Sequence, residues 1–197
     1  MAAYSVNTAS TLLVIGGSAG SLDVLIQILP GWDLPDHLAT VIVLHRKADG
    51  ESLLTDVLNA RCPWPVTEAK DKEPIRPRNI YVAPADYHLL IEADHTLSLD
   101  YSEKVNYSRP SIDVTLETAA IAYGARLICL LLSGANMDGS DGLLFAKKYQ
   151  ARVVVQEPAT AIAPFMPQHA ISSVVPDAIL SPAKMTRYLQ ELVMGMI

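Results

Sequence analysis

Cysteine is nearly absent, with two in 197 residues, Cys62 and Cys129. They are far apart and form no paired metal-binding spacing, which excludes a disulfide framework and a cysteine metal centre; reduced thiols of a cytoplasmic protein are the plain reading. Positive charge is in deficit. Fifteen Lys and Arg stand against 21 Asp and Glu, a formal net charge of -6. The broad basic footprint of a nucleic-acid binder or of a protein held on an anionic membrane is therefore missing. Charged residues make up only 18% against 50% hydrophobic, which excludes intrinsic disorder. Long apolar runs are also missing. The first ten residues, MAAYSVNTAS, contain no basic side chain, and the run Leu12 to Ile15 is too short for a signal peptide or a membrane span. No internal repeat or low-complexity stretch interrupts the chain. Its length suits one domain and falls short of the roughly 250 residues of a TIM barrel.

What is present is an alternation of short apolar runs with amphipathic segments. Thr11 to Ile15, Ala39 to Leu44, Asn79 to Ala83, Leu127 to Leu132 and Arg152 to Val155 read as buried strands. Between them, Leu22, Leu25, Ile26 and Leu29 have helical spacing, ended by Pro30-Gly31. Ser52 to Asn59, a segment opened by Arg109-Pro110-Ser111, Leu143 to Tyr149 and Pro167 to Ser172 are further helices. A last helix begins with Ser181 as N-cap and Pro182 at its first position, with Met185, Tyr188, Leu189 and Leu192 on one face. Leu89 to Ile91 and the alternation Leu97, Leu99, Tyr101 flank a polar turn at Asp94-His95 and read as an antiparallel hairpin. Together these predict an α/β fold: a doubly wound, mainly parallel sheet with helices on both faces and an added hairpin. Residues 1–10 read as an extension and 11–197 as the domain. In such folds chemistry collects at the carboxyl ends of the strands.

Three strand ends carry candidate groups. After the first strand, Gly16-Gly17-Ser18-Ala19-Gly20 forms Gly-x-Ser-x-Gly between strand and helix, the setting of a nucleophile elbow. Small neighbours let a sharp turn lift the hydroxyl clear of the sheet and aim backbone N–H groups at a developing oxyanion. A glycine-rich phosphate turn and simple packing are the other readings. Ser18 occupies the place of the second glycine of the dinucleotide fingerprint, though Arg46 would suit a 2′-phosphate, so a small nucleotide-binding module stays open. After the second strand stands His45, alone among five histidines in directly following a strand next to the first. Histidine suits a general base because its ordinary pKa lies near working pH. Its competing reading is a surface or core residue. After the most apolar strand, Ser133 to Gly142 holds three glycines and two aspartates. Asp141 suits a helix cap, since the apolar helix begins at Leu143; Asp138 is the freer candidate to orient a histidine.

The stretches IGGSAGS, VIVLHR, NIYVAPADYHLLI, SRPSIDVTLE, LLSGANMDGSDGL and PATAIAPFMPQHAI, in this order and spacing, resemble the catalytic domain of the chemotaxis protein-glutamate methylesterase (CheB) family from about Leu12 to the C-terminus. The resemblance implies Ser18 as nucleophile, His45 as base and Asp138 as the orienting acid, with no metal or organic cofactor. It implies methyl-ester hydrolysis on glutamate side chains of a methyl-accepting chemotaxis receptor, glutamine deamidation by the same chemistry, and control by a response regulator on a separate chain. Backbone N–H groups near Ala19 or Ala135 are expected to form the oxyanion site. Tyr87, His88, Arg109 and Met166 are expected as walls of an open cleft. The chain departs from the usual family pattern at Ala19-Gly20-Ser21, at Leu44-His45-Arg46 and at Gly134-Ala135-Asn136-Met137. These departures keep open a second reading, a catalytically degenerate relative that binds receptor or signalling partners.

Overall fold

The protein is described by a computed structural model that covers residues 8–32, 35–46 and 53–196. Seven strands form one parallel sheet: β1 (Thr11–Gly17), β2 (Leu38–Leu44), β3 (Val66–Glu68), β4 (Ile80–Val82), β7 (Leu127–Leu131), β8 (Arg152–Gln156) and β9 (Ala178–Leu180), in the order β3-β4-β2-β1-β7-β8-β9. The hairpin β5 (His88–Ile91) and β6 (Leu97–Asp100) is a separate antiparallel pair. Six helices accompany them: α1 (Ser21–Ile28), α2 (Leu54–Asn59), α3 (Ile112–Tyr123), α4 (Ser140–Lys148), α5 (Phe165–Ser173) and α6 (Pro182–Met194).

The period of two along each strand divides the core between the two sheet faces. Leu12 and Val14 of β1, with Val41 of β2 and Cys129 of β7, pack against α3, α4, α5 and the hairpin. Leu13 and Ile15, with Ile42 and Leu130, pack against α1, α2 and α6. All seven residues of β1 are buried, as a strand paired on both edges and covered on both faces requires. On α6 the buried face is Met185, Leu189 and Val193, one residue every fourth position, which holds the helix to the sheet.

From β1 the chain passes through α1 to β2 on one side. From β7 it passes through α4 to β8 on the other. The connections diverge between β1 and β7, and the crevice at their carboxyl ends is the switch point where ligands bind in open α/β sheets. The Ser18 N–H donates to Ser133 O across this crevice at 2.8 Å.

The fold class agrees with the sequence reading, and several boundaries move. The α4 helix begins at Ser140 rather than Leu143. Its N-cap is Gly139, at φ 96°, so Asp141 lies in the first turn and caps nothing. The reason is steric: a residue with positive φ turns the chain into the helix earlier than the apolar pattern suggests. The helix read at Ser52 to Asn59 is seen as α2; Ser52 lies outside the described residues. β3 and β9 go unread in the sequence because each has three residues and at least one exposed side chain. Among the described residues no helix is long and apolar enough to cross a membrane.

Candidate active site

Ser18 immediately follows β1. Its turn is possible because Gly20 adopts φ 82° at the N-cap of α1, a conformation that strains any residue bearing a Cβ. The Ser21 N–H closes the turn onto Ser18 O at 3.1 Å, and the Ser21 hydroxyl accepts the Ser18 N–H at 3.1 Å. The Ser18 hydroxyl has no hydrogen-bond partner among the described residues. Gly17 pairs with Leu44, and the His45 N–H donates to Gly17 O at 3.1 Å. Ser18 and His45 therefore occupy the next position on two neighbouring strands, where backbones lie about 5 Å apart.

His45 Nε2 lies 2.7 Å from Asp138 Oδ2. Its other nitrogen, Nδ1, faces the Ser108 hydroxyl and the Asn136 amide, each at 3.4 Å. A neutral ring that donates Nε2–H to Asp138 carries its lone pair on Nδ1, where the long contacts of Ser108 and Asn136 would have to yield for it to act as a base.

Asp138 is fully buried and has four donors. Oδ2 accepts from His45 and from the Ile112 N–H at 2.7 Å; Oδ1 accepts from the Ser111 hydroxyl at 2.8 Å and the Asp113 N–H at 3.2 Å. Ser111 is the N-cap of α3, so the carboxylate sits at the positive end of that helix. Burial works against its charge, yet the bonds from His45 and Ile112 outweigh burial and hold the carboxyl below the ordinary aspartate range. Asp113, the neighbouring acid, moves the other way. Burial first, then the Asp138 charge, push it up to about 7.

The expected oxyanion donors are exposed. Neither the Ala19 nor the Ala135 N–H donates to a group among the described residues, and both sit in peptides of fixed direction. Ser18 O is held by Ser21, and Gly134 O accepts the Met166 N–H at 2.9 Å. Because peptide units are planar and trans, anchoring each carbonyl fixes the N–H that points away from it. The Ser133 hydroxyl, donating to Ala19 O at 2.6 Å, ties the two loops together.

An open cleft of about 440 Å³ adjoins His45, lined by Arg46, Asp86, Lys104, Ser108 and Arg109 among others. Arg109 is stacked over the Tyr101 ring and donates to Tyr101 O and Ser102 O. Tyr87 packs on the same ring, its centroid 5.4 Å away, and stays partly exposed. Two expected walls lie elsewhere. Met166 is 0% exposed beneath Gly134, and His88 is 1% exposed. The His88 ring bridges Glu103 O at 2.9 Å and the Ser111 N–H at 3.2 Å, so it braces the Asp138 cap from behind. Ser108, Ser111, Asp113 and Asn136 were not legible as site residues, because nothing in their local pattern says that a distant loop meets them. No group of three or more His, Cys, Asp or Glu among the described residues is arranged to hold a metal ion.

Residues 13–189 match the model of the CheB methylesterase family. A Leptospira interrogans relative is 42% identical over 172 residues, covering 87% of this chain and 89% of that one. A protein-glutamate methylesterase/protein-glutamine glutaminase of Thermotoga maritima is 34% identical over 188 residues, covering 92% of this chain and 54% of the relative. The crystal structure of the Thermotoga maritima CheB methylesterase catalytic domain superposes with a TM-score of 0.88 at 32% identity, covering 95% of this chain and all of that one. With the family model matched over most of its length, the chain belongs to the CheB methylesterase family.

Proposed function

We propose that this chain hydrolyses methyl esters of glutamate side chains on a methyl-accepting chemotaxis receptor, with Ser18, His45 and Asp138 as its catalytic triad. The observation that carries the reading is the 2.7 Å contact of His45 Nε2 with Asp138, with Ser18 at the adjoining strand position. The reaction requires the Ser18 Oγ to come within hydrogen-bond reach of Nδ1 when substrate binds; such bonds are often open before substrate arrives. Ser18 Oγ attacks the ester carbonyl and passes its proton to His45. The Ala19 and Ala135 N–H groups hold the oxyanion, each donor of this kind being worth about two to three orders of magnitude in rate. The tetrahedral intermediate collapses to an acyl-serine and expels methanol, protonated by His45. A water activated by the same nitrogen releases the glutamate. With a glutamine side chain the leaving group is ammonia, and the product is the same carboxylate, in keeping with the double names of the relatives. Asp138 keeps the imidazole oriented and stabilises the imidazolium.

The open cleft suits a side chain presented on a folded protein. We assign the reaction to residues 11–197 and to the cytoplasm, with a response-regulator protein as a further partner.

The test is methanol release from receptor methylated on glutamate. The intact chain is expected to release it, and Ser18→Ala and His45→Ala to release none above background. No methanol from the intact chain, together with specific receptor binding, would replace the enzyme by a signalling or receptor-binding module.

A further inference from the structure

Beside the triad carboxylate lies a second buried acid that the reaction above leaves unused. Asp113, 5% exposed, stands in the first turn of α3. Its carboxylate accepts the Gly142 N–H at 2.7 Å through Oδ1 and the Asn106 side-chain amide at 3.0 Å through Oδ2. The N-termini of two helices thus meet over two carboxyls. The α3 helix offers the Ile112 and Asp113 N–H groups to Asp138; α4 offers the Gly142 N–H to Asp113. The two acids share this buried corner, the Asp113 N–H donating to Asp138 Oδ1 at 3.2 Å, and two like charges placed together favour a proton on one of them. Asp138 has His45 and three further donors, whereas no Lys, Arg or His among the described residues pairs with Asp113. The other groups facing Asp113 are Asn106, a neutral amide, and Asp141 of α4, whose charge also favours its protonated form. His45 reaches it only through Asp138.

We propose that Asp113 is a positioning residue of the triad: it holds a proton shared with Asp138, so that His45 is countered by a carboxyl pair whose charge grows from one to two when that proton leaves. The proposal rests on the reading of Ser18, His45 and Asp138 as the triad. Below neutral pH the protonated Asp113 donates to Asp138 and fixes it in place. Above it the second charge adds to the field that favours imidazolium in the transition state, so the attack on substrate quickens with pH beyond what one histidine gives.

The experiment uses the full chain labelled with ¹³C at aspartate carboxyls, and in parallel the pH profile of Ser18 modification by an organophosphonate. Two carboxyl resonances are expected to move together in one step near neutral pH, and that step vanishes in Asp113→Asn. The variant keeps the Gly142 and Asn106 contacts (the Asn106 amide turning over), still labels, and loses the alkaline rise, running about tenfold below the parent above pH 8. Asp113→Glu restores the rise in part. The proposal is overturned if no aspartate carboxyl titrates between about pH 5.5 and 8.5, or if the Asp113→Asn profile superimposes on the parent's, which would leave Asp113 a purely structural anchor. Should the variant not fold, the carboxyl titration of the parent chain decides alone. A parent chain that shows the carboxyl step but never labels Ser18 overturns the triad reading instead.

Discussion

Asp138 and Asp113 are the same residue type in the same buried corner, and their surroundings drive them apart. Three donors and a histidine keep Asp138 ionised; Asp113 has two donors and a charged neighbour. The consequence reaches stability. Asp113 is raised to about 7 in the folded chain, above its unfolded value of about 3.9. Between those values the folded state binds more protons, so stability falls as pH rises through the window, and the full cost is present above it. Asp138 acts on the acid side: its depressed carboxyl stabilises above the unfolded value and loses that contribution as pH falls through the folded one. Urea unfolding is expected to show Asp113→Asn gaining about 1–3 kcal/mol on the parent between pH 4.5 and pH 8. A constant difference would mean that Asp113 does not titrate there. At this scale the sequence was partly readable. Ser18, His45 and Asp138 stand out because each follows a strand that composition marks as buried. His88 and Met166 face the interior instead of the cleft, because a position near a turn says nothing about which way the side chain faces. Ser108 and Asn136 belong to loops whose meeting depends on the whole fold.

At the scale of elements, the N-terminus of α3 carries the site. Ser111 caps the helix and donates to Asp138; the next two N–H groups of the helix also point at that carboxylate. Ser111→Ala removes a cap worth about 1 kcal/mol and one of the donors on Asp138. The expected result is a loss of stability of that order in urea unfolding, with Ser18 modification slowed about three- to tenfold. Unchanged modification with lowered stability would confine Ser111 to capping. The strands β1, β2 and β7 were legible because both faces are covered and their apolar runs are continuous. The start of α4 was not, because a glycine at positive φ sets it rather than hydrophobic periodicity.

At the scale of the molecule, one feature of topology brings the candidate groups together. The chain leaves β1 and β7 in opposite directions, and the crevice this opens is flanked by the loops carrying Ser18 and Asp138, with His45 one strand over. Two apolar layers clamp the sheet that holds these loops, so three residues far apart in sequence are positioned by the most rigid part of the fold. The alternation of strands and helices made that architecture readable in advance, and the short edge strands β3 and β9 alter only its margins. The central claim is that Ser18 is a nucleophile activated by His45. Intact mass after treatment with an organophosphonate tests it most directly. A single adduct on the parent chain that is absent from Ser18→Ala and from His45→Ala is the predicted result; an unmodified parent, or an adduct that survives in Ser18→Ala, would contradict it.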